Sequence, residues 1–314
     1  MKVVFRRGGV VEAEHPFCAV LVRGGGEQED QIGDIQGPMT WRSAAKPFQL
    51  EVSAALMPAD WADRELAVGA SSHTGQPVHL ELVETVLSKG GVGVGNLFCG
   101  ADWPSHSATR NAAIRGSEHP LPIWNNCSGK HAFMAGACHA CGWEADYRGP
   151  GHPLQQQIRQ RVEERAGQRV DSVVDGCGVP CFVLPIVAMA RAWASLGRAV
   201  ERGDGLLGRI GSAMAKFPVE AGGVHRIDSD CMALAKQRVI AKIGAEGLIC
   251  VAVPGADSSV VVKVRSGNDL ARAVALGAVM ERWFPGVLPA EVWNHSAVIR
   301  NVVGREVGVR EVVD

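Results

Sequence analysis

The sequence predicts an α+β fold in which strands from both ends of the chain form one antiparallel sheet and helices cover its faces. Three observations indicate this fold: β-branched and apolar runs near the N-terminus, helical spacing of apolar residues from Ser43 to about Val200, and three further apolar runs after residue 237. Strands that flank a helical middle are expected to meet in one sheet. No repeat, low-complexity tract or long linker divides the chain, so residues 1–314 are predicted to form a single domain.

The predicted elements follow in order along the chain. Residues 3–9 and 18–25 predict two antiparallel strands joined through a turn region near His15-Pro16. Apolar periodicity then predicts helices in segments such as 44–57, 79–90, 129–142, 153–167 and 184–197, with a short strand at 172–174. The last part predicts consecutive antiparallel strands at 238–244, 247–255 and 258–267, a helix at 269–284, and short strands or an edge hairpin within 297–313.

Composition excludes several classes of partner. The 314 residues carry 32 Lys and Arg against 33 Asp and Glu, a formal net charge of -1, and the basic residues are scattered. Nucleic acids and anionic membranes attract basic patches, so neither is an expected partner. The chain is long enough to bury a full core, and 46% of its residues are hydrophobic. These features favour a globular protein that binds a small molecule.

The N-terminal residues and the cysteines predict the compartment. The first residues contain no apolar run long enough for a signal peptide, and nowhere do about 18 apolar residues follow one another. The nine cysteines are an odd number spread through a long chain, which favours reduced thiols over a disulfide framework. A cytoplasmic location is therefore expected.

Ser43 and Lys46 form the first candidate for catalytic chemistry. They stand at positions i and i+3, so their side chains are neighbours on one helical face. A serine becomes a good nucleophile when a base takes its proton, and a lysine is such a base only if burial or nearby positive charge keeps it neutral. Arg42 could supply that charge, and Pro47 favours placing Ser43 in a first helical turn, where free N–H groups stabilise an oxyanion. The alternative is an ordinary helix start with a solvated lysine.

A second hydroxyl-rich segment, SSHTG, follows the apolar run LAVGA. Ser72 could relay a proton, and His73 could orient it. The alternative is that the segment caps the helix that starts near Gln76-Pro77, as Ser and Thr commonly do. Both interpretations can hold together.

The segments NNCSGKH and DGCGVPC are predicted to form paired loops of the site. Thiolates of Cys127 and Cys177, completed by His131 or an unprotonated Lys130, could hold zinc. The alternative for most of the cysteines is burial as small hydrophobic residues, and Cys138-x-x-Cys141 lies inside a predicted helix.

Asp175 and two lysines complete the candidates. Asp175 could bind the ammonium group of a substrate, although an Asp-Gly pair is also a common turn. Lys242 interrupts an apolar strand, where its charge could help to keep Lys46 neutral and assist Ser72. Lys263 is a weaker candidate for the same role, and a surface position is the alternative for both.

Five motifs, RSAAKPFQ, SSHTG, NNCSGKH, DGCGVP and AKIGAEG, together resemble in this order the asparaginase II family of Rhizobium-type thermolabile L-asparaginases. The resemblance implies a serine β-lactamase/glutaminase-like fold, hydrolysis of the L-asparagine side chain, a homodimer, the pairs Ser43–Lys46 and Ser72–Lys242, and a zinc ion beside the site. The predicted residues are the catalytic Ser43, Lys46, Ser72 and Lys242, the substrate-binding Arg42, His73, His131 and Asp175, and the zinc ligands Cys127, Lys130 and Cys177. The chain has Gln76 where the family pattern has a glutamate, so no carboxylate acts at this position.

Two rival functions remain open at this stage. A β-lactamase-like or penicillin-binding enzyme would use the same Ser-Lys chemistry, but this chain has Lys242-Ile243-Gly244 in place of the K-T-G triad. A zinc- or redox-sensing protein without turnover could be built on Cys127, Cys138, Cys141, Cys177 and Cys181. Asparagine and glutamine differ by one methylene, worth only about 1–3 kcal/mol in a pocket, so the sequence does not choose between them.

Overall fold

A computed structural model of the chain describes residues 1–116 and 119–314. Its larger sheet has eight strands, in the order β10-β11-β1-β2-β9-β8-β7, with β3 pairing with β2 outside this path, and every pairing is antiparallel. The strands are β1 (Lys2–Arg7), β2 (Val10–Arg23), β3 (Glu27–Ile32), β7 (Ile240–Gly244), β8 (Leu248–Val253), β9 (Ser258–Val264), β10 (Val298–Arg300) and β11 (Glu306–Val313). A second antiparallel sheet has the order β4-β6-β5, from β4 (Met39–Thr40), β5 (Asp171–Val174) and β6 (Pro180–Leu184).

Strands from the two ends of the chain meet in the larger sheet, as the sequence predicts. β1 pairs with β11 from Lys2↔Val313 to Arg7↔Gly308. The predicted run of three strands is β7, β8 and β9, and the tail forms the predicted hairpin. Only β10 of that hairpin is an edge strand, because β11 lies between β10 and β1.

The predicted turn at His15-Pro16 is wrong. The chain turns at Gly8 and Gly9, whose φ values of 53° and 86° lie in the left-handed region that glycine adopts without strain. β2 continues through Pro16, where it passes from pairing with β1 to pairing with β9. Proline is tolerated there because no ladder bond needs its missing N–H. Its carbonyl still accepts a hydrogen bond from Arg265 N at 2.8 Å.

The helices are α1 (Lys46–Ala55), α2 (Asp63–Gly69), α3 (Pro77–Lys89), α4 (Ser107–Gly116), α5 (Ser128–Cys141), α6 (Pro153–Ala166), α7 (Ile186–Arg202), α8 (Gly205–Lys216), α9 (Pro218–Ala221), α10 (Ile227–Leu234), α11 (Asp269–Trp283) and α12 (Glu291–Ala297). α7 packs against β2, β8 and β9, and α11 packs against β1, β2, β9 and β11. Both helices present apolar faces to the apolar strands, which accounts for their place in the core. The predicted α+β class with helices covering an antiparallel sheet is confirmed.

Within residues 1–116 and 119–314, none of the helices combines the length and the apolar character needed to span a membrane. All nine cysteines are free thiols.

Candidate active site

Two adjoining cavities form a cleft with Ser43 at their junction. One cavity has a volume of about 340 Å³ and is also lined by Ser72 and Arg226. The other has a volume of about 220 Å³ and is also lined by Asp175, Cys127 and Cys177. Ser43, Asn126 and Ala245 line both cavities. Larger cavities of about 470 Å³ lie elsewhere on the surface, but the predicted catalytic residues do not line them. The cleft is therefore the candidate active site.

Ser43 lies on a 3₁₀ turn, Arg42–Ala45, that leads directly into α1. The sequence predicted Ser43 in the first turn of an α-helix, and the structure corrects this prediction. Pro47 has no N–H to bond back to Ser43, so Lys46 N bonds the Ser43 carbonyl instead and the turn is tighter. Arg42 has a φ of +52°, which is strained backbone for a residue other than glycine. The turn holds the partly exposed Ser43 at the surface of the cleft.

The 3₁₀ turn is fixed by contacts with two other elements. Trp193 of α7 donates its indole N–H to the Ala44 carbonyl at 3.2 Å. On another side, a Cβ on Gly244 of β7 would lie 2.9 Å from the Trp41 carbonyl, so only glycine allows this close approach. The end of β7 therefore lies against the turn that carries Ser43.

Lys46 is buried and bonds to the SSHTG segment. Its Nζ donates to the Ser71 carbonyl at 2.5 Å and to Ser72 Oγ at 2.9 Å. Burial lowers the Lys46 pKa below its ordinary value, and the charge of Lys130 lowers it further, whereas the Cys127 thiol acts in the opposite direction. Within residues 1–116 and 119–314, no hydrogen bond joins Lys46 to Ser43. Lys46 is thus hydrogen-bonded to Ser72, and the Ser43–Lys46 pair that the resemblance implies stays a prediction.

Lys242 is also buried, and its partner is an aspartate that the sequence did not single out. Its Nζ donates to Asp228 Oδ2 at 3.1 Å and to the Ile243 carbonyl at 3.2 Å, so the implied Ser72–Lys242 pair is replaced by Ser72–Lys46. Burial lowers the Lys242 pKa to about 8, although Asp228 opposes this shift. Lys263 bonds the Glu246 carbonyl at a partly exposed position, so Lys242 is the lysine beside the cleft.

Asp228 lies in the first turn of α10, where acidic residues are common because they favour the helix dipole. Burial raises its pKa, but the charges of Lys242 and Arg226 and the Ile243 N–H overcome this effect and hold the pKa below its ordinary value. It is therefore an aspartate anion inside the protein. No signal in the sequence separates Asp228 from any other carboxylate at the start of a helix.

The two loops with cysteines come together as predicted. The start of α5 packs closely against the end of α2. A Cβ on Gly129 would lie only 2.3 Å from the Val68 carbonyl, so the approach requires glycine. Lys130 Nζ lies 3.3 Å from Cys177 Sγ. Burial lowers the Lys130 pKa, but the two thiols and Asp175 raise it above its ordinary value. A hydrogen bond from Cys177 lowers the Cys127 pKa below its ordinary value, and the charges of Lys46 and Lys130 act in the same direction against the effect of burial.

The donor atoms of this cluster agree in kind with the implied zinc site. Two sulfurs and one amine nitrogen are suitable zinc ligands, and the lowered pKa of Cys127 favours the thiolate form that zinc requires. In the part of the chain that the structure describes, no three His, Cys, Asp or Glu side chains form a metal-binding group. Any site here therefore depends on Lys130 as the third ligand.

Arg42 and Asp175 bind one another across the cleft wall. Arg42 Nε donates to Asp175 Oδ1 at 2.8 Å, and Gly176 N donates to the same oxygen at 2.8 Å. Both side chains line the smaller cavity. The pair brings together two residues that the resemblance places near the substrate, and their charges neutralise one another.

His73 and His131 are fully buried and are not among the residues that line the two cavities, so their substrate-binding roles stay predictions. The Gly75 N–H donates a hydrogen bond to His73 Nδ1 at 3.2 Å, so the ring proton is on Nε2. His73 Nε2 then donates a hydrogen bond to Ser128 Oγ at 2.8 Å. His131 Nδ1 lies 3.0 Å from the hydroxyl of Tyr147. Burial lowers the pKa of both histidines well below the ordinary value, so both are neutral and support the loops.

Gln76 is the N-cap of α3, in place of the Ser or Thr cap considered from the sequence. Its side-chain oxygen accepts hydrogen bonds from Val224 N at 3.0 Å and Thr74 Oγ1 at 3.1 Å. These bonds need an acceptor oxygen and no charge, so an amide serves where the family pattern has a carboxylate. Gln76 ties the loop before α10 to the segment that carries Ser72.

The likeness to solved structures agrees with this fold. Mglu in its glutamate form matches with a TM-score of 0.50 and 14% identity over 86% of this chain and 61% of that chain. A β-lactamase from Mycobacterium bovis matches with a TM-score of 0.47 and 14% identity over 85% of this chain and 94% of that chain. No curated protein sequence matches significantly. The predicted fold, an antiparallel sheet with helices on its faces, is confirmed, and the likeness to Mglu agrees with it.

The family match and the cleft together define an amidohydrolase of the asparaginase type. The chain belongs to the L-asparaginase II family, whose model matches residues 3–311. A family of this kind implies a small amino acid as substrate. The resemblance that the five motifs indicate is therefore confirmed.

Proposed function

We propose that the protein is an L-asparaginase that hydrolyses the side-chain amide of L-asparagine to L-aspartate and ammonia, with Ser43 as nucleophile. The observation that carries the proposal is the position of Ser43 in the cleft beside a buried Lys46–Ser72 hydrogen bond. The burial that lowers the Lys46 pKa favours the neutral amine that a general base requires.

In the proposed first step, Lys46 takes the proton of Ser43 while the hydroxyl oxygen attacks the amide carbon. An acyl-enzyme ester forms, and backbone N–H groups at the start of the 3₁₀ turn stabilise the oxyanion. Ser72, hydrogen-bonded to Lys46 Nζ, passes the proton to the leaving nitrogen, which departs as ammonia. Water then cleaves the ester, releasing L-aspartate and restoring Ser43. Lys242, with its pKa of about 8, supplies positive charge and a second proton source beside this relay.

Ammonia release from a panel of L-asparagine, L-glutamine and short primary amides tests the proposal. We expect L-asparagine to be turned over with the highest kcat/KM. Preferred release from glutamine would move the assignment to a glutaminase, and hydrolysis of the chromogenic β-lactam nitrocefin in place of the amides would favour the β-lactamase-like rival. Metal binding without any turnover would favour a zinc-binding sensor.

The rate should rise from neutral to alkaline pH, with an optimum above about pH 8, because an unperturbed lysine has a pKa near 10.4 and burial lowers that of Lys46. Lys242→Met should shift the rising limb of kcat/KM to higher pH. The Lys46 charge lowers the Lys242 pKa, and since the repulsion is mutual, removing Lys242 raises the Lys46 pKa. The Asp228 anion, which Lys242→Met leaves without its lysine partner, also raises the Lys46 pKa. Profiles of kcat/KM against pH for both proteins measure the shift, and a limb that moved to lower pH would contradict Lys46 as the base.

We further propose that Cys127, Lys130 and Cys177 hold a zinc ion. When bound, zinc would place positive charge beside Arg42 and Asp175 and order these substrate-binding groups. The thiols raise the pKa of Lys130, so its amine becomes a ligand only after losing a proton, and zinc affinity should fall as pH falls.

Elemental analysis should find about one zinc per chain, lost in Cys127→Ser or Cys177→Ser. The controls are Cys18→Ser, Cys99→Ser and Cys250→Ser, since these buried thiols lie outside the cluster and burial raises their pKa values. Protein without zinc would remove this proposal and leave the serine chemistry standing.

We also propose that residues 1–314 act as one catalytic domain, that two copies form a homodimer, and that the enzyme works in the cytoplasm. The nine free thiols favour a reducing compartment. Sedimentation of the purified protein would test the dimer.

A further inference from the structure

One cation in the cleft has no strong partner. Arg226, the N-cap residue of α10, lines the same cavity as Ser43 and Ser72. Its Nε lies 3.6 Å from Asp228 Oδ1, and 22% of the side chain is exposed. Within residues 1–116 and 119–314, its guanidinium makes no hydrogen bond. The two terminal nitrogens of Arg226 therefore remain available to a ligand in the cavity.

The loop before Arg226 is fixed to the segment that carries Ser72. Thr74 N donates to the Gly222 carbonyl at 3.0 Å, and Val224 N donates to the Gln76 side chain at 3.0 Å. Gly223 has a φ of +138°, and a Cβ there would lie 2.3 Å from Thr74 Oγ1, so glycine allows the loop to pack directly on the segment. Asp228 Oδ1 makes no hydrogen bond and faces Arg226 Nε. The loop that leads to Arg226 is thus fixed to the segment that carries Ser72, and Arg226 Nε lies beside the Asp228 carboxylate.

The other cations around the cleft are already engaged. Arg42 donates to Asp175 at 2.8 Å, and Lys242 donates to Asp228 at 3.1 Å. Arg272 is buried, with Nη1 2.7 Å from Asp269 Oδ1. Lys46 bonds to Ser71 and Ser72. An anion that enters the cavity would therefore meet Arg226 as the cation with the most unused donors.

We propose that Arg226 binds the α-carboxylate of the amino acid substrate and so restricts the enzyme to amides with a free α-carboxylate. The inference rests on the proposed function, because it names the group that recognises the substrate of that reaction. A guanidinium fork matches a carboxylate with two parallel hydrogen bonds, and burial in the cavity strengthens them. Asp175 lines the adjoining cavity, which shares Ser43 with the cavity of Arg226, and it is the candidate for the α-ammonium group.

A cycle of protein and substrate changes tests this subsite. L-Asparagine is compared with 3-aminopropanamide, which keeps the amine and the reacting amide but lacks the α-carboxylate. We expect wild type to prefer L-asparagine in kcat/KM by about 100-fold or more, as a site with buried donors rejects an analogue that leaves them unpaired. Arg226→Met should lower kcat/KM for L-asparagine by about the same factor, mainly through KM, and change that for 3-aminopropanamide by less than about threefold.

The controls separate recognition from a general structural effect. Arg238→Met is the matched control, because Arg238 bonds the Gly286 and Val287 carbonyls outside this cleft and its loss should leave the preference intact. Arg226→Lys keeps the charge without the fork and should restore part of the preference. Succinamate, which lacks the amine but keeps a carboxylate, should lose as much as L-asparagine in Arg226→Met. Competitive inhibition by L-aspartate should weaken in the same variant.

Failure of the inference and failure of the proposed function give different results. If wild type hydrolyses L-asparagine and 3-aminopropanamide equally well, or if Arg226→Met slows both to the same extent, the inference is overturned and the asparaginase function stands. A preference that collapses in Arg42→Met and survives in Arg226→Met would move the carboxylate to Arg42. If wild type releases no ammonia from any amide, the proposed function falls, and the inference with it.

Discussion

Ser43→Ala should abolish ammonia release while leaving the protein folded. The change removes the nucleophilic oxygen and no apolar volume from the core, because Ser43 is partly exposed at the surface of the cleft. Loss of a nucleophile typically lowers kcat by 10³-fold or more, so a fall in kcat/KM on the order of 10³-fold or greater is expected. Steady-state ammonia release and a thermal unfolding curve together measure the two parts of this prediction.

Ser53→Ala is the matched control for the nucleophile. Ser53 lies on α1, the helix that follows the 3₁₀ turn of Ser43, and its hydroxyl bonds the carbonyls of Gln49 and Leu50, so the change removes a nearby serine and none from the cleft. This variant should keep wild-type turnover. Turnover near the wild-type rate in Ser43→Ala would contradict the assignment of the nucleophile.

Lys46→Met should lower turnover about as severely as loss of the serine, on the order of 10³-fold. Methionine has a similar volume and cannot accept the Ser43 proton. The change also leaves the Ser71 carbonyl and the Ser72 hydroxyl without their donor, so a loss of stability of about 1–3 kcal/mol is expected beside the loss of rate. Residual single-turnover rates, measured at a temperature where unfolding curves show the variant folded, isolate the catalytic effect.

The double variant Ser43→Ala/Lys46→Met distinguishes a cooperating pair from two independent residues. Groups that act as a unit show losses that do not add, so the double variant should be about as slow as either single one. Lys89→Met is the control. Lys89 donates hydrogen bonds to the backbone carbonyl of Asp60 and the side chain of Glu65, and it lies away from the cleft. A double variant far slower than both singles would separate the two roles.

Much of the architecture follows from local patterns in the chain. The strands β7, β8 and β9 are mainly apolar runs between turns, interrupted by Lys242 in β7 and Lys263 in β9, and the long helices repeat apolar residues at helical spacing. The pattern failed where a local preference and the final fold differ. β3 has the polar sequence EQEDQI, and it forms because β2 offers it an edge to pair with. The pattern predicted the turn at His15-Pro16 and missed the one at Gly8-Gly9. A proline is tolerated inside a strand only where tertiary contacts allow it, and the local pattern does not show those contacts.

For the site, the sequence predicted which loops meet and did not predict which side chains bond. Spacing placed Ser43 and Lys46 on one face, but the 3₁₀ turn and burial direct Lys46 towards Ser72. Asp228 and Arg226 lie far from the five motifs, in a segment that looks like any helix start. Their roles arise from a glycine loop packed on Thr74, a contact between distant parts of the chain that local pattern does not encode.

The pairing of β1 with β11 sets the order in which the molecule can be assembled. Arg6 and Glu311, 305 positions apart, join across this pair at 2.8 Å. Contacts between such distant residues fold slowly, because a very long loop must close before any of them forms. During synthesis β1 emerges long before β11, so one edge of β1 stays unpaired until β11 has been made. This is the state in which the nascent chain is most exposed to strand-to-strand aggregation, and the stage at which a chaperone would matter most.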